Sequence, residues 1–566
     1  MTGLPAATHL LLVIATPLVG AVVAWLLGGR GAKAVRQSAA VTALVTLVLA
    51  GWLVVRALQD PGTAAGRPFA LVEVPWLTGG IFDVRFSLGL DGLSLWMFAL
   101  AALLSLTAVL VSWDAVHERP VGFYVLLLVL EAAMLGVFAA RDVILFYVFF
   151  EFTLVPLFFL IGIWGHEDRR HAAVKFFIYT LAGSVLTFLG LLAIVLWNAS
   201  HTGTVTFDIQ GLTDSLATRP LPMTAEGAWL QMVVFLALLA GFAIKVPIVP
   251  FHTWLPLAHV EAPTGGSVDL AGVLLKIGIY GFLRFSLPML PEATAVAAPW
   301  LFGLGAAGIV YGALVALVQT DLKRLIAYSS VSHMGYIVMG LFALTPVAVE
   351  GANLQLVNHG LSSAGLFALV GMIYERFHTR SIASLGGIAT KAPWLAALFM
   401  LFTFSSIGLP GLNGFVGEFM ILAGSFQRAW TGVAPRLGPA YLVMVLAAVA
   451  GVVLGAWYML WAVERVLFGP SREPPRAAGE AAGGSDTESH GLHAPHGGTP
   501  DLRWHELAAL LPLAVFVFWI GLHPSTFLRP SAAALRETTR ASSAAFAARM
   551  DETGPAADAA HITLVP

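Results

Sequence analysis

Runs of apolar residues long enough to cross a membrane follow one another along almost the whole chain. Crossing about 30 Å of hydrocarbon takes roughly 18 to 25 apolar residues in a helix, and by this measure the sequence predicts about 14 helices. The first run has no basic start and is followed at once by a second, so we expect a retained span rather than a cleaved signal peptide. The predicted helices lie near residues 8–27, 38–57, 91–112, 121–139, 142–163, 173–197, 228–248, 267–285, 297–319, 322–343, 352–373, 393–427, 440–466 and 505–523.

Two of these apolar segments are interrupted by glycine and proline in a similar way. One interruption is 241–250, which contains Lys245, and the other is 406–418, which ends at Glu418. A proline has no amide hydrogen and obstructs the preceding turn, so carbonyl groups are freed at membrane depth and must meet protein or water. Paired interruptions are typical of inverted repeats that build a transport site near the bilayer midplane. The alternative is a pair of ordinary proline kinks.

Composition strengthens the membrane interpretation. Of the 566 residues, 58% are hydrophobic and 11% are charged, and the mean hydropathy is +0.84. A water-soluble surface cannot be built from so few charges. The formal net charge of −2 gives no excess that would attract nucleic acid. Because the chain has no cysteine, disulfides, thiolate metal sites and iron–sulfur clusters held by this chain are excluded.

The basic residues of the connecting segments predict an orientation. With an even number of spans, 15 of them fall on one side and eight on the other. Cytoplasmic connections carry the excess of lysine and arginine, so the side with 15 is expected to face the cytoplasm. Both termini are then outside.

Seven ionisable side chains are predicted to lie within apolar helices or at their interruptions. They are Glu131, Glu151, Lys245, Lys276, His333, His359 and Glu418. An ionised group at the centre of a spanning helix costs about 2.5–3.5 kcal/mol on insertion scales, so such positions point to a function. Carboxylates, lysines and histidines on separate helices exchange protons when water links them, and we interpret these seven as proton-transfer residues. The alternative is a set of structural ion pairs.

Two further charged residues have simpler explanations. Lys175 lies close to the start of a span, where its ammonium can reach the interface; a role in proton uptake is the alternative. Asp269 begins the helix that carries Lys276, and an acidic residue is favoured there by the helix dipole.

Two segments differ from the rest in composition: 470–503, rich in Gly, Pro and Ala, and the polar tail after about residue 528. Both are expected to be disordered or bound to the surface. His490, His493 and His496 lie in the first segment, but a glycine-rich linker fixes no ligand geometry, so we interpret them as solvated linker rather than a metal site. The sequence also has no phosphate-binding loop, dinucleotide motif or haem-like histidine pair, and we predict no cofactor or metal on this chain.

The sequence around the ionisable residues resembles a known family. The matching stretches include Phe-Tyr-Val-Phe-Phe-Glu151, Ala-Ile-Lys245-Val-Pro, Pro-Phe-His-Thr-Trp-Leu-Pro256, His-Val-Glu-Ala-Pro-Thr264, Gly-Val-Leu-Leu-Lys276, Ser-Val-Ser-His333-Met-Gly-Tyr, Asn-His359-Gly and Gly-Leu-Pro-Gly-Leu-Asn-Gly-Phe-Val-Gly-Glu418. Over about residues 90–470 the chain is similar to the antiporter-like, proton-translocating membrane subunits of respiratory complex I. Among these it looks most like the M-type subunits, which correspond to mitochondrial subunit 4.

The resemblance implies an all-α bundle of about 14 transmembrane helices with two broken helices and two inverted five-helix repeats. The expected divisions are 1–90, N-terminal helices and an external loop; 91–285 and 286–469, two antiporter-like halves; 470–503, a flexible cytoplasmic loop; and 504–566, the last span and a polar tail.

The function it implies is proton movement across the bacterial cytoplasmic membrane, as a translocase subunit of NADH:quinone oxidoreductase. NADH, FMN, iron–sulfur clusters and quinone are then expected on partner subunits. The expected neighbours are other complex I membrane subunits, especially the L-type and N-type ones, together with lipid and without nucleic acid.

The roles carried over are specific. Glu151 is expected to pair with Lys245 and set its proton affinity, Lys276 to relay the proton with His333 and His359, and Glu418 to stand at the far end. One departure is Leu257, where the family is expected to have aspartate; Asp269 is a candidate to compensate.

Two other functions are open. One is a subunit of a cation/proton antiporter or of a membrane-bound hydrogenase, against which Glu418 argues because those subunits usually carry lysine there. The other is a scaffold that does not pump, which would tolerate joint neutralisation of the buried charges.

Overall fold

A computed structural model of the chain describes residues 4–79, 82–223, 229–431, 437–472 and 501–552. Within these residues, 11 helices are long and apolar enough to cross a membrane, and three shorter apolar helices accompany them. The predicted all-α membrane class is thereby confirmed. The total of about 14 spans and the inverted repeats stay predictions.

Most neighbouring helices of the described residues are joined by short connections. In chain order they are α1 (Ala6–Leu26), α2 (Ala32–Gln59), α3 (Leu95–Val111), α4 (Pro120–Ala139), α5 (Val143–Phe152), α6 (Leu154–Trp164), α7 (Arg169–Thr202), α8 (Ile209–Thr218), α9 (Leu230–Lys245), α10 (Trp254–Glu261), α11 (Thr264–Met289), α12 (Pro291–Leu317), α13 (Leu322–Phe342), α14 (Pro346–Phe377), α15 (Pro393–Ser406), α16 (Asn413–Thr431), α17 (Gly438–Val463), α18 (Trp504–Leu522) and α19 (Ser525–Glu552). Single turns occur at Pro61–Ala64 and Ile388–Lys391.

Four helices form the centre of the bundle. α3, α11, α13 and α14 are buried along nearly their whole length. Close packing between α12 and α13 depends on glycine, since a Cβ atom at Gly305 would lie 2.7 Å from the backbone nitrogen of Met339. By contrast, α1, α2 and α17 expose much of their apolar surface. Those outer faces are suited to lipid or to neighbouring subunits.

The first break separates α9 from α10, and its proline explains the hydrogen bonding. Pro247 has no amide hydrogen for the carbonyl oxygen of Ala243, which instead accepts from the Ile248 amide at 2.9 Å. The indole of Trp254 donates to the carbonyl oxygen of Ile244 at 2.9 Å. The freed carbonyls are therefore satisfied by protein, as buried backbone at membrane depth requires.

The second break, between α15 and α16, is shorter than predicted and spans residues 407–412. The Leu409 amide donates to the carbonyl oxygen of Phe404 at 3.0 Å, again five residues back. Gly408 and Gly411 have φ values of +74° and +92°, which glycine adopts without a steric penalty. Glu418 consequently lies inside α16 rather than in the break itself.

The segment predicted as an external loop within 1–90 contains regular structure. It forms an antiparallel hairpin of β1 (Phe69–Gly79) and β2 (Phe82–Leu90), with the two-residue β3 (Val205–Thr206) parallel to β2. The signal was present in the sequence, because apolar residues at 82, 84, 86, 88 and 90 alternate with polar or small ones. A period of two is typical of a half-buried strand.

The tail after about residue 528 was predicted to be disordered or bound to the surface, and disorder is wrong for the part up to Glu552. α19 runs to Glu552 and packs against α12 and the end of α11. Its Ser542 hydroxyl donates to the carbonyl oxygen of Leu287 at 2.5 Å, and the Arg428 guanidinium lies 4.6 Å from the centre of the Phe546 ring. Small residues such as alanine and serine let this helix lie close to the bundle. His490, His493 and His496 fall outside the described residues.

Ion pairs at the two ends of the bundle tie distant segments together. On the side of the hairpin, the Asp91 carboxylate accepts two hydrogen bonds from Arg284, at 2.6 and 2.9 Å, and lies 3.5 Å from Arg141. Burial by itself would raise the pKa of Asp91, but Arg284 and then Arg141 hold that pKa well below its usual range. On the other side, Arg376 forms a two-pronged pair with Glu506, at 2.8 and 2.6 Å.

Candidate functional site

Four of the predicted proton-transfer residues lie next to one another in the centre of the bundle. The Lys276 ammonium lies 2.8 Å from His359 Nδ1, and the His359 and His333 rings have centres 5.6 Å apart. His333 Nδ1 lies 2.9 Å from Glu418 Oε1. These four residues, which we call the central relay, stand on α11, α14, α13 and α16, and none of them is more than 7% exposed. The structure thus brings together side chains from four helices.

Lys276 owes its placement to an irregularity of α11. Residues Leu270–Leu274 form a π-helical turn, and the Lys276 ammonium donates to the carbonyl oxygen of Ala271, five residues earlier. A π turn shifts the hydrogen-bond register and leaves carbonyls available, and such turns are frequent at functional sites. Backbone and imidazole together therefore hold the lysine head group.

The second break organises the far end of the central relay. Ser406, the last residue of α15, has its hydroxyl 3.1 Å from His333 Nε2, while the Gln355 side-chain amide donates to Glu418 Oε1 at 3.2 Å. Gly408 faces the same carboxylate, since a Cβ atom there would lie 3.2 Å from Glu418 Oε2. His333 consequently has a hydrogen-bonding side chain next to each of its ring nitrogens.

Lys245 belongs to a separate group, and the expected direct pair with Glu151 is not formed. Its ammonium donates to the Phe150 carbonyl oxygen at 3.0 Å and to the Thr153 hydroxyl at 3.4 Å, and it stands 3.3 Å from the centre of the Phe150 ring. Among the described residues, no carboxylate oxygen lies within ion-pair distance of it. Phe150 and Glu151 point about 100° apart around the helix, so contact with one directs the lysine away from the other. Glu151, partly buried, still interacts with Lys245 through its charge.

A small cavity adjoins Lys245 on the side of α11. It measures about 10 Å³ and is lined by Lys245, Thr153, Trp254, Leu270 and Leu274 among others. A volume of this size holds about one water molecule. Among the described residues, no hydrogen bond joins Lys245 directly to the central relay, and this cavity lies between Lys245 and the α11 turn Leu270–Leu274.

Glu131 lies in neither group. It is fully buried on α4, and neither of its carboxylate oxygens has a hydrogen-bond partner among the described residues. The charged group that lies close enough to interact with it is Asp269, which is also fully buried and whose two oxygens are likewise unpartnered among the described residues. Glu131 is therefore placed beside a second carboxylate rather than on the central relay.

Two buried ionisable residues were not singled out from the sequence. His259 is fully buried, stacks on Phe367 with ring centres 4.4 Å apart, and has no partner for either ring nitrogen in the described structure. Lys323 was counted with the surface connections, but its ammonium is buried and donates to the Ala262 carbonyl oxygen at 2.6 Å. In the sequence, the only local indication that His259 is buried is that it stands between two apolar residues, Ala258 and Val260.

An open cavity of about 810 Å³ lies on the side of the bundle opposite the hairpin. We call this side the basic side, because the connecting segments with the larger number of lysines and arginines lie there. Its lining includes Ser112, Glu118, His166, Thr264 and Arg376. Burial, followed by the charges of Lys323 and Arg380, lowers the pKa of His166 to about 4, so this imidazole is neutral near pH 7. Among the described residues, no group of three or more His, Asp or Glu side chains is arranged to hold a metal ion.

Comparison with known proteins agrees with this architecture. A family profile described as NADH:quinone oxidoreductase/Mrp antiporter, TM matches residues 140–436. NADH-quinone oxidoreductase subunit M of Pseudomonas aeruginosa is 39% identical over 92% of this chain and 96% of its own length. NADH-ubiquinone oxidoreductase chain 4 of Chondrus crispus is 36% identical over 92% of this chain and 95% of its own. A chain of respiratory complex I from Thermus thermophilus with bound NADH superposes with a TM-score of 0.76 at 32% identity, covering 94% of this chain and 99% of that one. The chain therefore belongs to the family of antiporter-like membrane subunits of NADH-quinone oxidoreductase, among the members named subunit M.

Proposed function

We propose that this chain translocates protons across a bacterial cytoplasmic membrane as a subunit of NADH:quinone oxidoreductase. The observation that supports this most directly is the central relay of Lys276, His359, His333 and Glu418, buried on four helices. Electron transfer from NADH to quinone would supply the energy from other subunits. Membership of the subunit M branch supports that assignment.

The central relay contains the groups that stepwise proton transfer needs. The Lys276 ammonium donates a hydrogen bond to His359, and His333 is within hydrogen-bond distance of Glu418, so each end of the path is already a donor–acceptor pair. The gap between the two imidazoles, 5.6 Å between ring centres, is short enough for one water or a ring rotation to bridge. Each imidazole can accept a proton at one nitrogen and release one from the other.

In this proposal the distance between Lys245 and Glu151 changes during the cycle. In the described structure the Lys245 ammonium is held by a carbonyl, a hydroxyl and an aromatic ring rather than by a carboxylate. Rotation of either side chain would bring the two charges into contact or separate them, which changes how readily the ammonium gives up its proton. The one-water cavity beside α11 would carry that proton towards Lys276.

The same proposal implies an orientation in the membrane and a set of neighbouring subunits. The basic side would face the cytoplasm, with both termini outside. NADH, FMN, iron–sulfur clusters and quinone would be bound by partner subunits. The exposed apolar faces of α1, α2 and α17 are candidates for contact with lipid and with L-type and N-type membrane subunits.

Replacing Glu418 by glutamine tests the relay. The amide keeps the shape of the side chain but cannot take up a proton, so Glu418→Gln should leave the complex assembled while lowering proton pumping and the coupled NADH:quinone activity. Both are measured on purified complex in proteoliposomes. The matched control is Glu464→Gln, at an exposed glutamate of the described chain, which should behave as wild type. Unchanged pumping in Glu418→Gln would favour the scaffold alternative.

A further inference from the structure

The buried carboxylates Glu131 and Asp269 lie outside the central relay and have an unusual environment. Both side chains are 0% exposed, and none of their four oxygens has a hydrogen-bond partner in the described residues. Asp269 is close enough to Glu131 for an ionised Asp269 to repel an ionised Glu131. No lysine or arginine side chain forms an ion pair with either of them in the described part of the chain.

This environment decides the charge of the pair. A buried carboxylate is tolerated as an anion only when cations or several hydrogen-bond donors compensate it. Glu131 and Asp269 have neither, and two neighbouring anions would in addition repel one another. The pair must therefore hold protons in this state of the molecule. The unpartnered oxygens are also suited to an ordered water between the two groups, since such a water needs polar partners.

The pair lies between the basic-side cavity and the central relay. Thr264, at the start of α11, lines that cavity; Asp269 follows five residues later, about 7.5 Å along the helix axis. On α4, the Tyr124 hydroxyl donates to the carbonyl oxygen of Ser112, another residue of the cavity wall, at 2.9 Å. Glu131 lies seven residues beyond Tyr124 on the same helix. Two helices thus lead from the cavity to the two carboxylates.

From the pair, α11 continues to the central relay. Lys276 lies seven residues beyond Asp269, about 10 Å along the helix axis. The intervening segment is the π-helical turn Leu270–Leu274, and the Ala271 carbonyl oxygen within it already accepts from the Lys276 ammonium. Irregular backbone at membrane depth is tolerated where it lines a polar path.

We propose that Glu131 and Asp269 form a proton-holding station, loaded from the basic-side cavity, that supplies Lys276. This rests on the proposed function of the central relay. In the transfer step a carboxylic acid O–H bond breaks and an N–H bond forms on a neutral Lys276 amine, through water, leaving a carboxylate and an ammonium. The station is reloaded by a proton taken from the cavity, so no other reactant is needed.

Infrared spectroscopy of the purified complex tests the protonation directly. A protonated carboxyl has a carbonyl stretching band that an ionised carboxylate lacks. We expect Glu131→Gln and Asp269→Asn each to lower the intensity of this band relative to wild type. Glu464→Gln, at an exposed glutamate, is the control and should leave it unchanged. No loss of intensity in either variant, or a band that appears only when sodium is removed, would overturn the proposal; the second result would indicate a cation site.

Proton pumping then tests the connection to Lys276. Each single variant should lower the number of protons pumped per electron, and the double variant should be no worse than the more severe single one, because both interrupt the same step. Fully additive losses, or undiminished pumping, would show that the pair does not supply the relay. If Glu418→Gln pumps normally while the infrared bands respond as expected, the proposed function fails and the protonated state of the pair stands.

Discussion

At the scale of single residues, the chemistry depends on which atoms face each buried charge. Lys245 was predicted to contact Glu151, and instead it meets the carbonyl of the neighbouring Phe150. One residue along a helix turns the side chain by about 100°, so a sequence position cannot fix such a contact. The consequence is that Lys245 is held without a full counter-charge, which suits a group that must release its proton.

Replacing Lys245 by arginine separates a structural charge from one that titrates. Arginine keeps the positive charge and adds hydrogen-bond donors, so a purely structural role would be preserved. A guanidinium stays protonated in proteins, so a role that requires deprotonation is lost. We expect Lys245→Arg to assemble, to keep electron transfer to an artificial acceptor, and to lose most proton-coupled quinone reduction. Lys33→Arg, at an exposed lysine, serves as the control; a fully active Lys245→Arg would show that deprotonation there is not part of the mechanism.

At the scale of elements, the two broken helices supply the geometry of the site. The first break places Lys245 at the end of α9. The second break places Ser406 in contact with His333, and it leaves Glu418 about one and a half turns inside α16. In both, an amide donates to the carbonyl five residues earlier. The breaks therefore have defined structures that fix where the half-helices resume.

The defined structure of the second break can be tested at Gly408. An alanine there must adopt a left-handed backbone conformation at a cost of about 1–2 kcal/mol, and its Cβ would press on the Glu418 carboxylate, 3.2 Å away. Gly408→Ala should lower both the thermal stability of the purified complex and its pumping. Gly51→Ala, where the added Cβ meets no atom within 4 Å, should be neutral or slightly stabilising. Equal behaviour of the two variants would mean that the second break is not rigid.

At the scale of the whole molecule, polar residues concentrate in the centre and apolar ones face outward. The central helices α11, α13 and α14 carry three members of the central relay, whereas α1, α2 and α17 turn apolar side chains out of the bundle. With no cysteine in its sequence, the chain cannot hold an iron–sulfur cluster by thiolate ligands. Its relatives are subunits of NADH-quinone oxidoreductase, so we expect the electron path to lie on other subunits.

The isolated chain should accordingly lack NADH-driven activity. Purified alone in detergent, we expect it to show no NADH:quinone reduction and a lower melting temperature than within the complex, because subunits that cover its apolar faces are gone. Restoring the other subunits should restore the activity. Full NADH-driven turnover by the chain alone would contradict its assignment as a translocase subunit.

Much of this architecture is determined by the sequence itself. Apolar runs and glycine–proline interruptions are local features of the sequence. The free energy of placing each one in a membrane depends mainly on its own residues, so the spans, both breaks and the membrane class could be predicted from them. The alternation in 82–90 predicts a strand for the same reason. The tail after residue 528 could not be predicted, since its polar composition resembles disorder and only packing against α11 and α12 makes α19 a helix.

The contacts of the site were decided by tertiary structure alone. Lys276 and His359 are 83 positions apart in the chain, and His333 and Glu418 are 85 apart. Whether such residues meet depends on how helices cross and which rotamers fit, and neither is encoded in local spacing. The same is true of Asp269, whose position in the sequence indicated a helix start but whose isolation beside Glu131 follows only from the packing of α11 within the bundle.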